Sequence, residues 1–154
     1  MGTKIRVNGL VKRILRVYVK GGSKMTKKGD KYETDIWIQS MFPKEQWFDP
    51  CPIDWHQHYH VSGLELDWGH AVFIDNLHGV FVNPPYSNPL PWVAKAIYEA
   101  DRTGIPIVLL LKHDSSTEWY RMLHEAGANM LMINKRLQYM TKKDAAFPSV
   151  LFVL

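Results

Sequence analysis

The sequence predicts an α/β fold in which a mostly parallel sheet carries helices on both faces. Two observations predict it. Apolar runs that suit strands alternate with amphipathic stretches through the second half of the chain. Residues 105–111 are apolar almost throughout, as in a strand that is buried on both faces of a parallel sheet. Because ligands of such sheets bind at the carboxyl ends of the strands, the residues that follow each strand are candidate site residues.

Composition limits the class of protein. The 154 residues, 46% of them hydrophobic, suit one domain with its own core. The single cysteine, Cys51, forms no internal disulfide, which fits a reducing compartment. No apolar stretch approaches the roughly 20 residues that cross a bilayer, and no export signal is visible. We therefore expect a cytoplasmic protein without a membrane partner, in the host cytoplasm if a virus encodes it.

Charge is distributed unevenly along the chain. Residues 1–31 hold ten of the nineteen Lys and Arg residues and a single acid, Asp30, although the net charge of the whole chain is only +4. We divide the chain into a basic N-terminal extension, residues 1–30, and a main domain, residues 31–154. Such asymmetry fits a polyanionic partner such as nucleic acid, and it equally fits a solvated terminus.

The N-terminal segment allows two assignments of element type. Residues 5–19 fit either a strand pair that turns at Asn8-Gly9 or an amphipathic helix over 10–19, and residues 21–30 read as a polar loop. Thr34 or Asp35 caps a predicted helix that runs to about residue 42, with Ile36, Trp37 and Met41 facing inward.

The remaining elements follow from apolar runs, caps and breakers. Pro91 opens one helix, and Ser115 or Ser116 caps another that ends at Gly127. We predict strands at 47–48, 71–74, 80–82, 105–111, 129–133 and 148–154, and helices at 91–102 and 117–126.

The stretch Asn83-Pro84-Pro85-Tyr86 directly follows a predicted strand. The two prolines fix φ and donate no hydrogen bond, so the turn is stiff and its carbonyls are available as acceptors. The Asn83 side chain adds an acceptor, and the tyrosine ring offers a face for stacking. The geometry suits an exocyclic amine on an aromatic heterocycle. Asp49 also follows a short strand, so we expect it on the same edge of the sheet as Asn83.

A resemblance to a known family covers roughly residues 32–154. The resemblance is carried by eight segments in one order: YETDIW (32–37), FDPCP (48–52), GLELDW (63–68), NPPYS (83–87), PWVAKA (91–96), VLLLKHDSSTEWY (108–120), KRLQY (135–139) and FPSVLFVL (147–154). This series resembles the small, often phage-encoded DNA N6-adenine methyltransferases, which use S-adenosylmethionine. The resemblance implies a Rossmann-like class I methyltransferase fold and transfer of a methyl group to the N6 amine of adenine in DNA.

The resemblance also implies roles for individual residues. Asn83 and the Pro84 carbonyl would hold the adenine amine, and Tyr86, with Pro85, would stack on a base flipped out of the duplex. The cofactor site would comprise Thr34, Asp49, Pro50, Cys51, Gly63, Leu64 and Asn83. The DNA-binding set would comprise Ser87, Lys135, Arg136, Lys142 and Lys143.

Other interpretations stay open from sequence. Asp35 stands where the family has proline, and Ser62 stands where an acidic residue often precedes Gly-Leu. His56, His58 and His60 alternate in a manner that could bind zinc, but a loop over the cofactor or DNA is the preferred interpretation, and no metal is predicted. The alternative functions are methylation of cytosine N4, an RNA base or a protein glutamine, or nucleic-acid binding on a degenerate scaffold. A chain this short would read a short site, would read little sequence at all, or would act as a homodimer.

Overall fold

The computed structural model of the chain describes residues 9–20, 34–53, 61–138 and 144–154, with the side chains of residues 17–20 excluded. The predicted 21–30 loop and the His56, His58 and His60 cluster lie outside the described residues. The elements are α1 (Gly9–Lys20), α2 (Ile36–Met41), β1 (Trp47–Phe48), α3 (Trp68–Ile74), β2 (Gly79–Val82), α4 (Leu90–Thr103), β3 (Ile107–Lys112), α5 (Glu118–Ala126), β4 (Asn129–Met132) and β5 (Ser149–Val153).

The described strands form one five-stranded sheet in the order β1-β2-β3-β5-β4. The first three strands are parallel neighbours, whereas β5 is antiparallel to both β3 and β4. The sheet is therefore mixed, and the prediction of a mostly parallel sheet holds only for its first half. β4 and β5 are joined by residues 133–148, whose described part contains no helix that could cross the sheet, and β5 turns back to pair antiparallel with β4. The Rossmann-like assignment stays a prediction.

Each face of the sheet has its own apolar core. On one face, alternate residues of β2, β3 and β5 pack with α1, α3, α4 and α5. On the other face, Phe81, Val108, Leu110 and Leu151 pack with Ile38 of α2 and with Leu137. Helices thus cover both faces, as the sequence predicts, and β3 is buried along five of its six residues.

The helix boundaries follow local chemistry. Pro91 lies in the first turn of α4, where its missing N–H is no loss, and Gly104 ends that helix in the left-handed conformation at φ 70°. Gly127 ends α5 in the same way at φ 83°. The N-cap of α5 is Thr117 and not Ser115 or Ser116, since Asp114 already organises the preceding turn.

The structure decides between the two assignments for residues 5–19, and it corrects the predictions for residues 71–74 and for the inner face of α2. Within the described residues, the N-terminal segment forms the helix α1, as one of the two assignments has it, and its Val11 and Ile14 are buried against the core. Residues 71–74 belong to the helix α3 and not to a strand, because Asp67 caps the segment by accepting a hydrogen bond from the His70 backbone N–H.

The prediction of which residues of α2 face inward is also corrected. The buried residue of α2 is Ile38, whereas Ile36, Trp37 and Met41, which we predicted to face inward, are exposed. The cap at Asp35 begins the helix in a phase that points only position 38 at the sheet. Trp92, Trp119 and Trp68 do lie in the core. No helix among the described residues is long and apolar enough to cross a membrane, and the cytoplasmic location stays a prediction.

Candidate active site

The parallel strands bring the predicted site residues to one edge of the sheet. In the register, Phe48 pairs with Val80 and Val82 pairs with Leu109. Asp49, which follows β1, and Asn83, which follows β2, therefore lie at the carboxyl edge, as expected. Lys112, at the end of β3, lies at the same edge.

The amide of Asn83 is oriented by a residue far away in the sequence. Its Nδ2 donates a hydrogen bond to Oγ1 of Thr34 at 2.9 Å, across 49 positions. Because the two ends of an amide point in opposite directions, this bond also fixes the direction of Oδ1, which is a buried acceptor. Pro84 is buried next to it, and the Asn88 N–H donates to the Pro85 carbonyl at 3.1 Å to close the turn.

Asp35 holds the Thr34 segment in place. Its Oδ1 accepts a hydrogen bond from the Trp37 N–H at 2.9 Å, which caps α2, and its Oδ2 accepts one from the Gln138 N–H at 2.7 Å. One buried carboxylate thus joins α2 to a segment about a hundred positions later. The sequence predicted the helix cap at Thr34 or Asp35, and Asp35 is the residue that forms it. The bond to Gln138 depends on contact with a distant segment, so no local pattern predicted it.

Tyr86 lies among groups that sequence reasoning did not single out. Its ring meets Phe147 edge to face, with centroids 5.3 Å apart. The Lys112 ammonium lies 4.5 Å from the Phe147 centroid and 5.6 Å from that of Tyr86. These cation–π contacts restrict the tyrosine ring and put a positive charge beside it. The sequence pattern that could have indicated Lys112 is a single cation directly after an apolar run, at the carboxyl end of β3.

The predicted cofactor residues form two touching turns. The Asp49 Oδ1 accepts a hydrogen bond from the Cys51 N–H at 2.9 Å, which orders the 49–52 turn. Gly63 packs so closely on that turn that an added Cβ would come within 1.7 Å of the Pro50 carbonyl oxygen. Only glycine fits there, and the close approach brings Gly63 beside Pro50.

The second turn, residues 62–64, is held by hydrogen bonds at both ends. Leu64 is buried, and its N–H donates to Oγ of Ser62 at 3.3 Å. Trp68 is fully buried and its Nε1 donates to the Gly63 carbonyl at 2.8 Å. Ser62, which replaces an acidic residue of the family, therefore has a structural role in ordering this turn.

The predicted DNA-binding residues lie on exposed segments where they are described. Ser87, Lys135 and Arg136 are exposed, whereas Lys142 and Lys143 lie outside the described residues. Leu137 is fully buried and anchors the segment that carries Lys135 and Arg136. The Ala145 N–H donates to the Leu137 carbonyl at 2.8 Å, which joins the two ends of residues 137–145.

His113 and Asp114 have structural contacts. The His113 ring stacks on Tyr120 at 6.1 Å, and Asp114 accepts hydrogen bonds from Oγ and N–H of Ser116 at 2.6 and 3.0 Å. The bonds from Ser116 hold the pKa of the Asp114 carboxyl below its ordinary value. Asp114 thus orders the turn that precedes α5. A surface groove along α5, lined by Tyr120, His124 and Met130 among others, includes none of the predicted site residues.

A series of ion pairs connects α4 to Asp67 at the N-terminus of α3. Lys95 and Glu99 are buried and form a pair at 2.7 Å. Arg102 joins Glu99 and Asp67, each at 2.6 Å. The pKa of Asp67 is lowered by the hydrogen bond from His70 and then by that from Arg102. Among the described residues, no group of three or more His, Cys, Asp or Glu side chains could hold a metal ion.

These features define an α/β protein whose candidate site is a rigid Asn-Pro-Pro-Tyr turn at the carboxyl edge of parallel strands. The sequence profile of a family described as DNA N-6-adenine-methyltransferase (Dam) matches residues 55–149. The chain therefore belongs to the Dam family.

One curated relative is a protein of Haemophilus phage HP1 (strain HP1c1) named DNA N-6-adenine-methyltransferase. It is 36% identical over 64 residues, which are 41% of this chain and 37% of the relative. The alignment thus spans little more than a third of that protein's length. No solved structure matches the chain.

Proposed function

We propose that this chain transfers a methyl group from S-adenosylmethionine to the N6 amine of adenine in DNA. The proposal rests most heavily on the Asn83 amide at the end of β2. Thr34 orients this amide, because its Oγ1 accepts a hydrogen bond from Asn83 Nδ2 at 2.9 Å. Membership of the Dam family and the name of the phage HP1 relative support adenine as the target.

The residues of the turn would hold the amine and its ring. Oδ1 of Asn83 and the carbonyl of Pro84 would accept the two N6 hydrogens, which fixes the nitrogen lone pair toward the methyl donor. Tyr86 would stack on the extruded base, with its ring braced by Phe147 and Lys112. The nitrogen would bond to the methyl carbon as the bond from that carbon to the sulfonium sulfur breaks, with S-adenosylhomocysteine as the leaving group. The methylated nitrogen would then lose a proton to solvent, so no strong base is required.

The two touching turns fit the methyl donor. S-adenosylmethionine would supply an electrophilic methyl group on its sulfonium. Asp49, Pro50 and Cys51 on one turn, and Gly63 and Leu64 on the other, would bind it, with Thr34 and Asn83 between cofactor and base. The supporting observation is the approach of Gly63 to the Pro50 carbonyl, which packs the two turns directly against each other.

DNA is the proposed partner of the cationic segment. Lys135, Arg136, Lys142 and Lys143, together with Ser87, would contact phosphates beside the target base. A homodimer, in which two small chains share the reading of a site, stays a prediction.

Labelled S-adenosylmethionine with unmethylated duplex DNA tests the proposal. After digestion to nucleosides, we expect the label in N6-methyldeoxyadenosine, with loss of label in Asn83→Ala. The matched control is Asn88→Ala, an exposed asparagine five positions on, which should retain activity. Label in a deoxycytidine would change the base. Absence of label from the DNA, despite measurable binding of S-adenosylmethionine, would refute DNA as the substrate.

A further inference from the structure

The helix α2 presents an apolar surface to solvent. Ile36 is 82% exposed, and Trp37 and Met41 are 43% and 42% exposed, on a helix of six residues. A tryptophan and a β-branched residue exposed side by side at a candidate site are a contact surface more often than an accident of packing.

Hydrogen bonds fix this surface beside the catalytic turn. Thr34, which contacts Asn83, precedes Ile36 by two residues, so their Cα atoms lie within about 7 Å of each other. Asp35 holds the first turn of α2 to the Gln138 backbone. The surface therefore keeps a constant position relative to the proposed base pocket.

The charge next to this surface favours a polyanion. The Lys135 ammonium lies 4.7 Å from the centroid of the Trp37 ring, and Arg136 is exposed next to it in sequence. An apolar protein partner would require the desolvation of both cations, whereas duplex DNA offers stacked base faces and phosphates together.

We propose that Ile36 and Trp37 form a wedge that contacts duplex DNA beside the target adenine, with Lys135 on an adjacent phosphate. The inference rests on the proposed function and adds how the duplex is opened. An apolar side chain that enters a base step offsets the unstacking of the extruded base, a role that proteins assign to Ile, Leu, Met and Phe. Because single strands need no opening, the wedge matters only for duplex substrate.

The experiment compares Ile36→Ser, Trp37→Ala and Lys135→Gln with a matched control, Ile74→Ser. Ile74 is 66% exposed on α3, another short helix, so both isoleucine variants remove an exposed apolar group. Trp37→Phe keeps an aromatic ring. Each full-length variant is assayed for binding to fluorescent duplex DNA and for methyl transfer to duplex and to heat-denatured DNA, with the melting temperature as the folding check.

We expect Ile36→Ser and Trp37→Ala to lose about tenfold or more in transfer to duplex DNA but less than about threefold on denatured DNA, because a few kcal/mol of unstacking are involved. Trp37→Phe and Ile74→Ser should stay within about twofold of the unmodified chain on both substrates, by the same reasoning. Lys135→Gln should weaken duplex binding and reduce its salt dependence.

The outcomes separate the wedge from the proposed reaction. If the chain methylates DNA and the wedge variants match Ile74→Ser on duplex, the wedge is refuted while the reaction stands. If the chain binds duplex but transfers no methyl group, and the wedge variants lose binding, the surface stands while the reaction falls. If the unmodified chain neither binds nor methylates DNA, both are refuted.

Discussion

At the scale of single residues, the candidate site depends on side chains that act on one another across long sequence separations. The four residues of the NPPY turn supply acceptors and a ring, but the direction of the Asn83 amide is fixed by Thr34. The threonine hydroxyl accepts the hydrogen bond from Nδ2, so a residue of the same shape without the hydroxyl should release the amide.

Thr34→Val should therefore lower kcat for methyl transfer by about tenfold, because a misaligned acceptor loses one hydrogen bond of about 1 to 1.5 kcal/mol to the amine. Thr34→Ser keeps the hydroxyl and should restore most of the rate. Steady-state kinetics on duplex DNA measure the difference. A valine variant with unaltered kcat would show that Thr34 does not orient Asn83.

Gly63 supports a second prediction at this scale. Gly63→Ala should destabilise the fold by about 2 to 3 kcal/mol, because its Cβ meets the Pro50 carbonyl and the backbone must move. Affinity for S-adenosylhomocysteine should fall with it. Gly9→Ala, where an added Cβ meets nothing within 4 Å, is the control and should leave both quantities unchanged. Denaturant unfolding and calorimetric titration measure them.

At the scale of elements, the contact between α4 and α3 carries a polar network inside an apolar core. Glu99 is 1% exposed and is shared between Lys95 and Arg102, and Lys95 lies over the Trp68 ring at 5.8 Å. A buried ion pair is weak evidence for stability, but removal of one partner leaves the other charge uncompensated.

Glu99→Ala should accordingly destabilise the protein by about 3 to 5 kcal/mol. The double variant Lys95→Met/Glu99→Leu, which removes both charges and keeps the volume, should recover most of that loss. Urea unfolding of the single and double variants gives the coupling. If the double variant is as unstable as Glu99→Ala, unpaired charge is not the cause.

The N-terminus of α3 provides a prediction on pH. The folded pKa of Asp67 is below its ordinary value, mainly because the carboxylate accepts from the His70 N–H and also from Arg102. The ionised form is therefore favoured in the folded state, and its contribution is present above about pH 4 and lost as pH falls through the folded pKa.

Asp67→Asn should thus flatten the fall of melting temperature with acid below about pH 4, while it lowers the melting temperature slightly at pH 7. The side chain is 53% exposed, so the effect should be small. Asp101→Asn, an exposed aspartate on α4, is the control and should keep the acid dependence of the unmodified chain. If the melting temperature of Asp67→Asn falls with acid in parallel with that of Asp101→Asn, the prediction is contradicted.

At the scale of the whole molecule, one half of the sheet carries the candidate site and the other half closes the fold. The parallel strands β1, β2 and β3 bring Asp49, Asn83 and Lys112 to one edge, while the antiparallel β5 contributes to the core on both faces and β4 lies exposed at the end of the sheet. Phe147, just before β5, returns to that edge to brace Tyr86. A ligand at the edge would contact segments from both halves.

S-adenosylhomocysteine at 100 times its Kd should therefore stabilise the whole chain by about 2.7 kcal/mol, with a matching rise in melting temperature. Adenosine alone should give a smaller rise. Differential scanning fluorimetry measures both. A well-folded chain with no shift at high ligand concentration would favour a nucleic-acid-binding protein on a degenerate scaffold over an enzyme.

The sequence by itself determined the features that depend on neighbours in the chain. The apolar run of β3, the proline that opens α4 and the glycines that end α4 and α5 act locally, so their elements were predicted correctly. The NPPY turn and its position after a strand are also local. The resemblance supplied the family, which the profile match confirms.

Tertiary structure decided what depends on contacts between distant residues. The sequence predicted the phase of α2 that turns Ile36, Trp37 and Met41 inward. The Asp35 cap with its bond to Gln138 instead fixes the phase that buries Ile38 and exposes Trp37. The antiparallel β5, the Thr34–Asn83 bond and the Lys112 contacts with Tyr86 and Phe147 likewise arise only when the chain is packed. The sequence determines which chemical groups are present, whereas the packing of the chain determines which of them come into contact.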